Sequence, residues 1–308
     1  MKKNNIYSSS NFILARAILL IVLCIGISNL MAQDSTAPAP VVKKKSFVKN
    51  TFEGNYLIDN QTVMVPIKGT FEFDIQHRFG TMDHQFTDLF GIFGSAKMRL
   101  GFSYTPIKDL QIGFGATNDR MQVDGNIKFA LLKQTKDNKI PVSVTYFGNA
   151  LMDTRIKDAT TLFVKTSDRF SFFNQIMVAR KVTENFSVQV GASVAHFNNL
   201  QGYTDASGKV MPIWQSDNFA ISFSGRYKIA PKTAIIVNYD QPLTQNPANN
   251  PHPNISFGFE FKSSGHDFQI FAGNYGFVLP QNNLLFNQND YTKGQFLIGF
   301  NISRLWNF

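Results

Sequence analysis

The chain has 308 residues, of which 30 are basic and 21 acidic, with a single cysteine. Cys24 falls in an N-terminal segment that reads as removable, so the mature chain has no cysteine for a disulfide framework or a thiolate metal site. The formal charge of +9 drops to +6 once the three basic residues of segment 1–32 are set aside. No basic helix, zinc spacing or aromatic–basic motif accompanies that charge, which excludes nucleic acid as a partner.

Lys2, Lys3 and Arg16 precede an apolar run, Ala17 to Ile27. That run suits a secretory signal and is too short to cross a bilayer as a helix. Cleavage is expected after Ala32, giving a signal peptide over 1–32. An uncleaved anchor is the alternative. A lipoprotein reading of Cys24 is disfavoured by the bulk of Leu23. Residues 33–69 follow as an arm. Its Pro/Ala-rich stretch, Thr36 to Pro40, leads into Lys43, Lys44, Lys45 and Lys49, a solvated segment able to touch anionic lipid or a partner. Asn50 to Gly69 alternates weakly at Val63, Val65 and Ile67. It reads as an arm in the periplasm or as a plug entering a lumen.

From Thr70 to the end the period is two. The first strand, Thr70 to Arg78, sets Phe71, Phe73, Ile75 and His77 against Glu72, Asp74, Gln76 and Arg78. Strands follow at Lys97 to Thr105, Leu110 to Thr117, Gly125 to Gln134 and Pro141 to Ala150. Others run from Phe170 to Arg180, Asn185 to Phe197, Asn218 to Lys228, Lys232 to Asp240, Asn254 to Lys262 and Asp267 to Gly273. In the last strand Phe296, Ile298, Phe300, Ile302, Trp306 and Phe308 alternate with Leu297, Gly299, Asn301, Ser303, Leu305 and Asn307. The 31 Phe residues fall mostly on alternate strand positions, which balances each apolar face with a polar one. The connections after the second, fourth, sixth, eighth and tenth strands are short. Most of the others are long. A soluble β-sandwich would bury Phe in the same way, but it does not predict that alternation of loop length. The expected fold is therefore all-β: an antiparallel up-and-down transmembrane barrel of about 12 strands over 70–308, with short turns and both termini periplasmic.

Four stretches, FEFDIQHRFG (Phe71 to Gly80), MRLGFSYTPIKDLQIGFG (Met98 to Gly115), PVSVTYFGNA (Pro141 to Ala150) and QIMVARKVTENFSVQV (Gln175 to Val190), resemble a family of bacterial outer-membrane β-barrel proteins known by a domain-of-unknown-function label. The His77 to Gly80 run is its most recognisable piece. The resemblance implies an outer-membrane barrel and no particular substrate.

The inner face is the expected seat of function. It carries Arg78, Lys97, Arg99, Lys128 and Asp240 toward one end, Glu72 and Asp74 toward the other, and Arg226 and Lys228 across the barrel. Such charges either sort polar solutes in an open lumen or pair and fill it. Small inner residues such as Gly101, Ser103, Gly113, Gly115 and Ser224 leave an aqueous path or room for a plug. His77 and His196 read as rim residues. A lipid-side hydrolase would need an outward Ser near His77, and Ser103 points inward. His84 with Asp83 and Asp88 matches no metal-loop spacing. Phe86, Leu89, Phe90, Ile92 and Phe93 are too apolar for a free loop and are expected to fold back over the barrel mouth or pack on neighbouring loops. Phe308 and Trp306 resemble the assembly signal read by the barrel-assembly machinery. Lipid and lipopolysaccharide are expected partners, with a periplasmic or surface protein as a further one. No cofactor, metal or catalytic group is expected. The function expected is a porin-like channel for small polar solutes. The alternatives are a non-conducting scaffold for a complex and, third, a membrane-embedded enzyme.

Overall fold

The computed structural model describes residues 46–157 and 163–308, the side chains of His84 and Gln85 excepted. The expected signal peptide, Lys43 to Lys45 and the His84 side chain lie outside the described residues.

Twelve strands close into one antiparallel barrel. They are β1 (Thr70–Thr81), β2 (Lys97–Ile107), β3 (Leu110–Thr117), β4 (Gln122–Leu132), β5 (Ser143–Asp153) and β6 (Phe170–Lys181). The second half is β7 (Phe186–Phe197), β8 (Asp217–Ala230), β9 (Thr233–Pro242), β10 (Asn254–Ser263), β11 (His266–Gly273) and β12 (Leu297–Asn307). Each strand pairs with its neighbours in sequence, and β12 returns to β1 with Phe300 opposite His77 and Trp306 opposite Phe71. Closure leaves no free edge, the condition for a strand structure to sit in lipid. No helix among the described residues is long and apolar enough to cross a membrane.

The outward rows follow the predicted phase. Phe102 lies between Phe73 and Phe114, and Phe259 between Ile235 and Ile270, all outside. Cross-strand rings meet along this surface, with Phe73 and Phe102 5.0 Å apart and Phe71 and Trp306 5.7 Å apart. The links β2–β3, β6–β7, β8–β9 and β10–β11 are tight turns. Gly265 takes a φ of +82° between β10 and β11, a conformation open to glycine at little cost.

Two segments fill the barrel. Residues 47–69 enter beside the β4–β5 link, where Phe47 bridges Thr135 and the Val48 N–H donates to the Gln134 carbonyl at 2.8 Å. They run inward, reverse in a small hairpin that pairs Tyr56–Leu57 with Asn60–Gln61, and leave beside β2, where the Gly69 N–H donates to the Thr105 carbonyl at 2.8 Å. At the tip Ile58 holds a φ of +58° while fully buried. A β-branched residue rarely adopts that backbone. Its own N–H donates to Gln269 Oε1 at 2.9 Å, and its carbonyl accepts from Asn301 Nδ2 at 2.7 Å, which hold the tip in place. From the opposite end the β11–β12 connection folds inward. It carries helix α1 (Pro280–Phe286), with Gln281, Asn282, Asn283, Leu284 and Leu285 all buried.

Candidate functional site: a lumen filled from both ends

On strands β1–β4 the inner face is ionic. Arg99 donates to Asp124 through two nitrogens, at 2.8 and 2.9 Å, and to Asp74 at 3.0 Å. Two inner glycines make room for this cluster. A Cβ on Gly101 would lie 2.3 Å from Asp74 Oδ2, and one on Gly115 would lie 2.3 Å from Arg99 Nη2. Part of the space expected for a solute path is thus taken up by the wall's own charges.

The insert supplies partners for several of the other charges. Arg78, fully buried, bonds Asp59 at the hairpin tip and Asn301 Oδ1 at 2.9 Å, with its guanidinium 4.6 Å from the Phe271 ring centroid. Asp59 also accepts from Asn283 Nδ2 of α1 at 2.6 Å, so the two fillings meet at one carboxylate. Glu72 accepts from Asn55 and, at 3.3 Å, from Gln111. Lys128 donates to the carbonyls of Asn55 and Met64 at 3.2 and 3.3 Å. Asp240 accepts from Asn60 at 2.8 Å. Arg226 bonds Glu260 on the neighbouring wall and lies 3.6 Å from Glu53 of the insert. Lys97 pairs with Asp119 at 3.4 Å and lies over the Phe277 ring. Lys228 lies near the β8–β9 turn, half-buried.

Of the two readings of the inner charges, the geometry favours the one in which they pair and fill the lumen. Arg78, Lys97 and Arg99 each have a carboxylate within 4 Å, and Lys128 is held by carbonyls. Ser224 is likewise buried, against Asn60 at 3.4 Å, so small inner residues accommodate the insert rather than a water column. Spaces between the fillings and the wall are small, for example about 20 Å³ beside Asp59 and Asn283 and about 10 Å³ beside Tyr56 and Asp74. Such spaces hold a single water at most.

On β5–β7 the inner face carries an apolar patch among its polar residues, which sequence reasoning missed. Phe147, Phe173, Met177, Ala179 and Ala195 form one buried cluster with Phe52, Leu57, Ile58 and Val63 of the insert and Leu284 and Leu285 of α1. Polar residues align it. Val63 donates its N–H to Gln189 Oε1 at 2.9 Å, and its carbonyl accepts from Thr145 at 2.9 Å. Asp59, Glu53 and Asp124 were the other unforeseen partners. Asp124 lies in phase with Lys128 on β4, so strand periodicity carried that signal.

The rim residues lie apart from the filling. His77 faces outward and stacks on Phe300, with centroids 4.9 Å apart, and Ser103 faces inward opposite Glu72. His196 meets Asp217 at 2.7 Å. Trp306 packs on Phe71, and Phe308 is 91% exposed. The first long loop departs from expectation. Phe86 touches Phe90 but is 80% exposed, and Phe93 is 77% exposed, so these rings do not cover the mouth.

The profile of a membrane-bound beta barrel domain family, DUF5777, matches residues 52–306. The chain belongs to this family. The match begins at Phe52, so the DUF5777 domain includes the insert as well as the barrel. Among solved structures, the chain is similar to an outer-membrane channel of Pseudomonas putida F1, at 11% identity and a TM-score of 0.49, covering 79% of this chain and 97% of that one. It is also similar to the NanC porin (9% identity, TM-score 0.46, 77% and 99% covered) and the KdgM porin (8%, 0.45, 77% and 99%). The comparison with curated proteins gave no match.

Proposed function

We propose that this DUF5777 barrel is an outer-membrane channel for small polar solutes, closed at rest by the insert, with its short turns and both termini in the periplasm. One observation carries the reading. Residues 47–69 enter and leave the barrel at the same end, beside Gln134 and Thr105. A loop held in this way can withdraw without threading the chain through the wall. Its contacts with the barrel are side-chain bonds and packing rather than a continuous strand ladder. Withdrawal would leave a wall carrying Glu72, Arg78, Lys128 and Asp240, which water can solvate. The α1 connection narrows the same lumen from the other end and meets the insert at Asp59.

Single-channel recording tests this. The whole chain is expected to be silent or to open rarely, and a chain lacking 33–69 to conduct continuously. Silence of a folded deletion barrel would overturn the channel. The second reading, a non-conducting scaffold, would then stand. It is favoured by the continuous apolar core joining Phe52, Leu57, Ile58 and Val63 to Phe147, Phe173 and Met177, which suits a permanent filling. The same proposal has Phe308 read by the barrel-assembly machinery. Its deletion is expected to lower the heat-modifiable form in membranes, and normal insertion would argue against that role.

A further inference from the structure

A pocket of about 240 Å³ opens at the long-loop end, between the β3–β4 turn, β5–β7 and α1. Arg120 lines it from the β3–β4 turn with φ +52° and ψ +22°, a left-handed backbone that side-chain-bearing residues seldom adopt. Its guanidinium lies over the Phe286 ring, 4.3 Å from the centroid. Phe286 in turn meets Trp214 at 5.3 Å and Phe197 at 5.5 Å, so the cation is backed by an aromatic wall.

The other charges of the pocket are satisfied internally. Asp153 is held by Arg155 at 2.7 Å, and Asp168 accepts the N–H groups of Val164 and Lys165. Arg169 donates to the carbonyls of Asp153 and Arg155. Asp119, next to Arg120 in sequence, pairs with Lys97. Among the described residues Arg120 has no hydrogen bond and no carboxylate within 4 Å. Asp119 and Asp153 act on this half-buried guanidinium only through space, which leaves its hydrogen-bonding edge open to a ligand anion. Burial pulls it below its usual basicity.

We propose that this pocket binds a small organic carboxylate carrying a ring. The carboxylate takes the guanidinium edge of Arg120, and the ring rests on the Trp214–Phe197 side. A bidentate Arg–carboxylate contact supplies specificity as well as affinity. The volume lies just under the usual range for drug-sized ligands, which suits a single ring. The inference rests on the pocket alone and does not depend on conduction through the barrel.

Mandelate carries both groups and is the probe. It is titrated into the whole chain in detergent, followed by calorimetry and by quenching of Trp214. The chain has one other tryptophan, Trp306, so W214F isolates the signal. Saturable binding of mandelate is expected. The neutral analogue 1-phenyl-1,2-ethanediol should bind at least about tenfold more weakly, and acetate should leave the fluorescence unchanged. R120N keeps a residue tolerant of the left-handed backbone. It should weaken mandelate at least about tenfold and leave the diol unaffected. If R120N fails to reach the heat-modifiable form, R120K replaces it, with at least about threefold weaker mandelate expected from loss of the bidentate contact. Absence of saturable heat, equal affinity for mandelate and the diol, or unchanged mandelate affinity in the folded Arg120 variant would overturn the proposal.

Discussion

The two sides of the lumen hold the same insert by different means. Strands β1–β4 grip it with buried charges, Arg78 to Asp59, Glu72 to Asn55, and Lys128 to two carbonyls. Strands β5–β7 hold it with Phe147, Phe173, Met177 and Ala179. Burying ionic groups costs desolvation that their attraction recovers only partly, whereas burying apolar surface is favourable by about 25 cal/mol per Å². On this reading the apolar side drives the insert into the barrel, and the ionic side fixes its position. A mispositioned insert would leave Arg78 or Asp59 buried and unpaired. Five variants test this division of labour.

The largest effect is expected on the ionic side. R78A leaves Asp59 buried with Asn283 alone and should cost about 3–5 kcal/mol. Replacing both charges, in D59N/R78M, should recover most of that loss. Urea unfolding from lipid vesicles measures both, and a cost for R78A under about 1 kcal/mol would remove the ionic side from the account. On the apolar side, M177A should cost about 2–5 kcal/mol through the cavity it opens. Limited proteolysis should show faster cleavage within 47–69, because the insert loses packing there. Unchanged protection would mean that β5–β7 do not drive seating.

A change on the lipid face separates barrel from insert. F259R should cost about 2–4 kcal/mol near mid-bilayer while leaving cleavage within 47–69 as it was. Cleavage that rises in step would mean that barrel and insert unfold together. The smallest effect belongs to the rim of the ionic network. Lys262 pairs with Glu53, but its side chain is 45% exposed, so K262A should change stability by about 0–1 kcal/mol. A loss as large as that of R78A would show that exposure does not separate the two kinds of ion pair.

Much of the barrel was legible because a strand between lipid and lumen shows its chemistry at every second residue. That rule put Phe102 and Phe259 outside, and Glu72, Arg99 and Lys128 inside. It was less informative on β5 and β6, where Tyr146 and Phe147, and Phe172 and Phe173, are adjacent aromatics that point opposite ways. With apolar residues on both faces, alternation does not announce an apolar inner wall. Helix α1 was hidden for the opposite reason. Gln281, Asn282 and Asn283 are residue types common in solvated loops, yet they are buried, with Gln281 donating to Asn149 at 2.9 Å and Asn282 to Gln122. An amide tolerates burial when a distant strand offers a partner, and local sequence does not show that partner.

The barrel and its strand phase can be read from the residues alone, because each strand residue meets either lipid or lumen with a period of two. What fills the barrel is set by contacts between remote segments. The partners of Arg78, Glu72 and Lys128 lie in a segment that crosses the lumen, and the pairing of Asp59 with both Arg78 and Asn283 joins three remote parts of the chain. A charge on an inner face is visible in one strand. Whether it meets water or a buried carboxylate depends on which distant segment the closed barrel encloses.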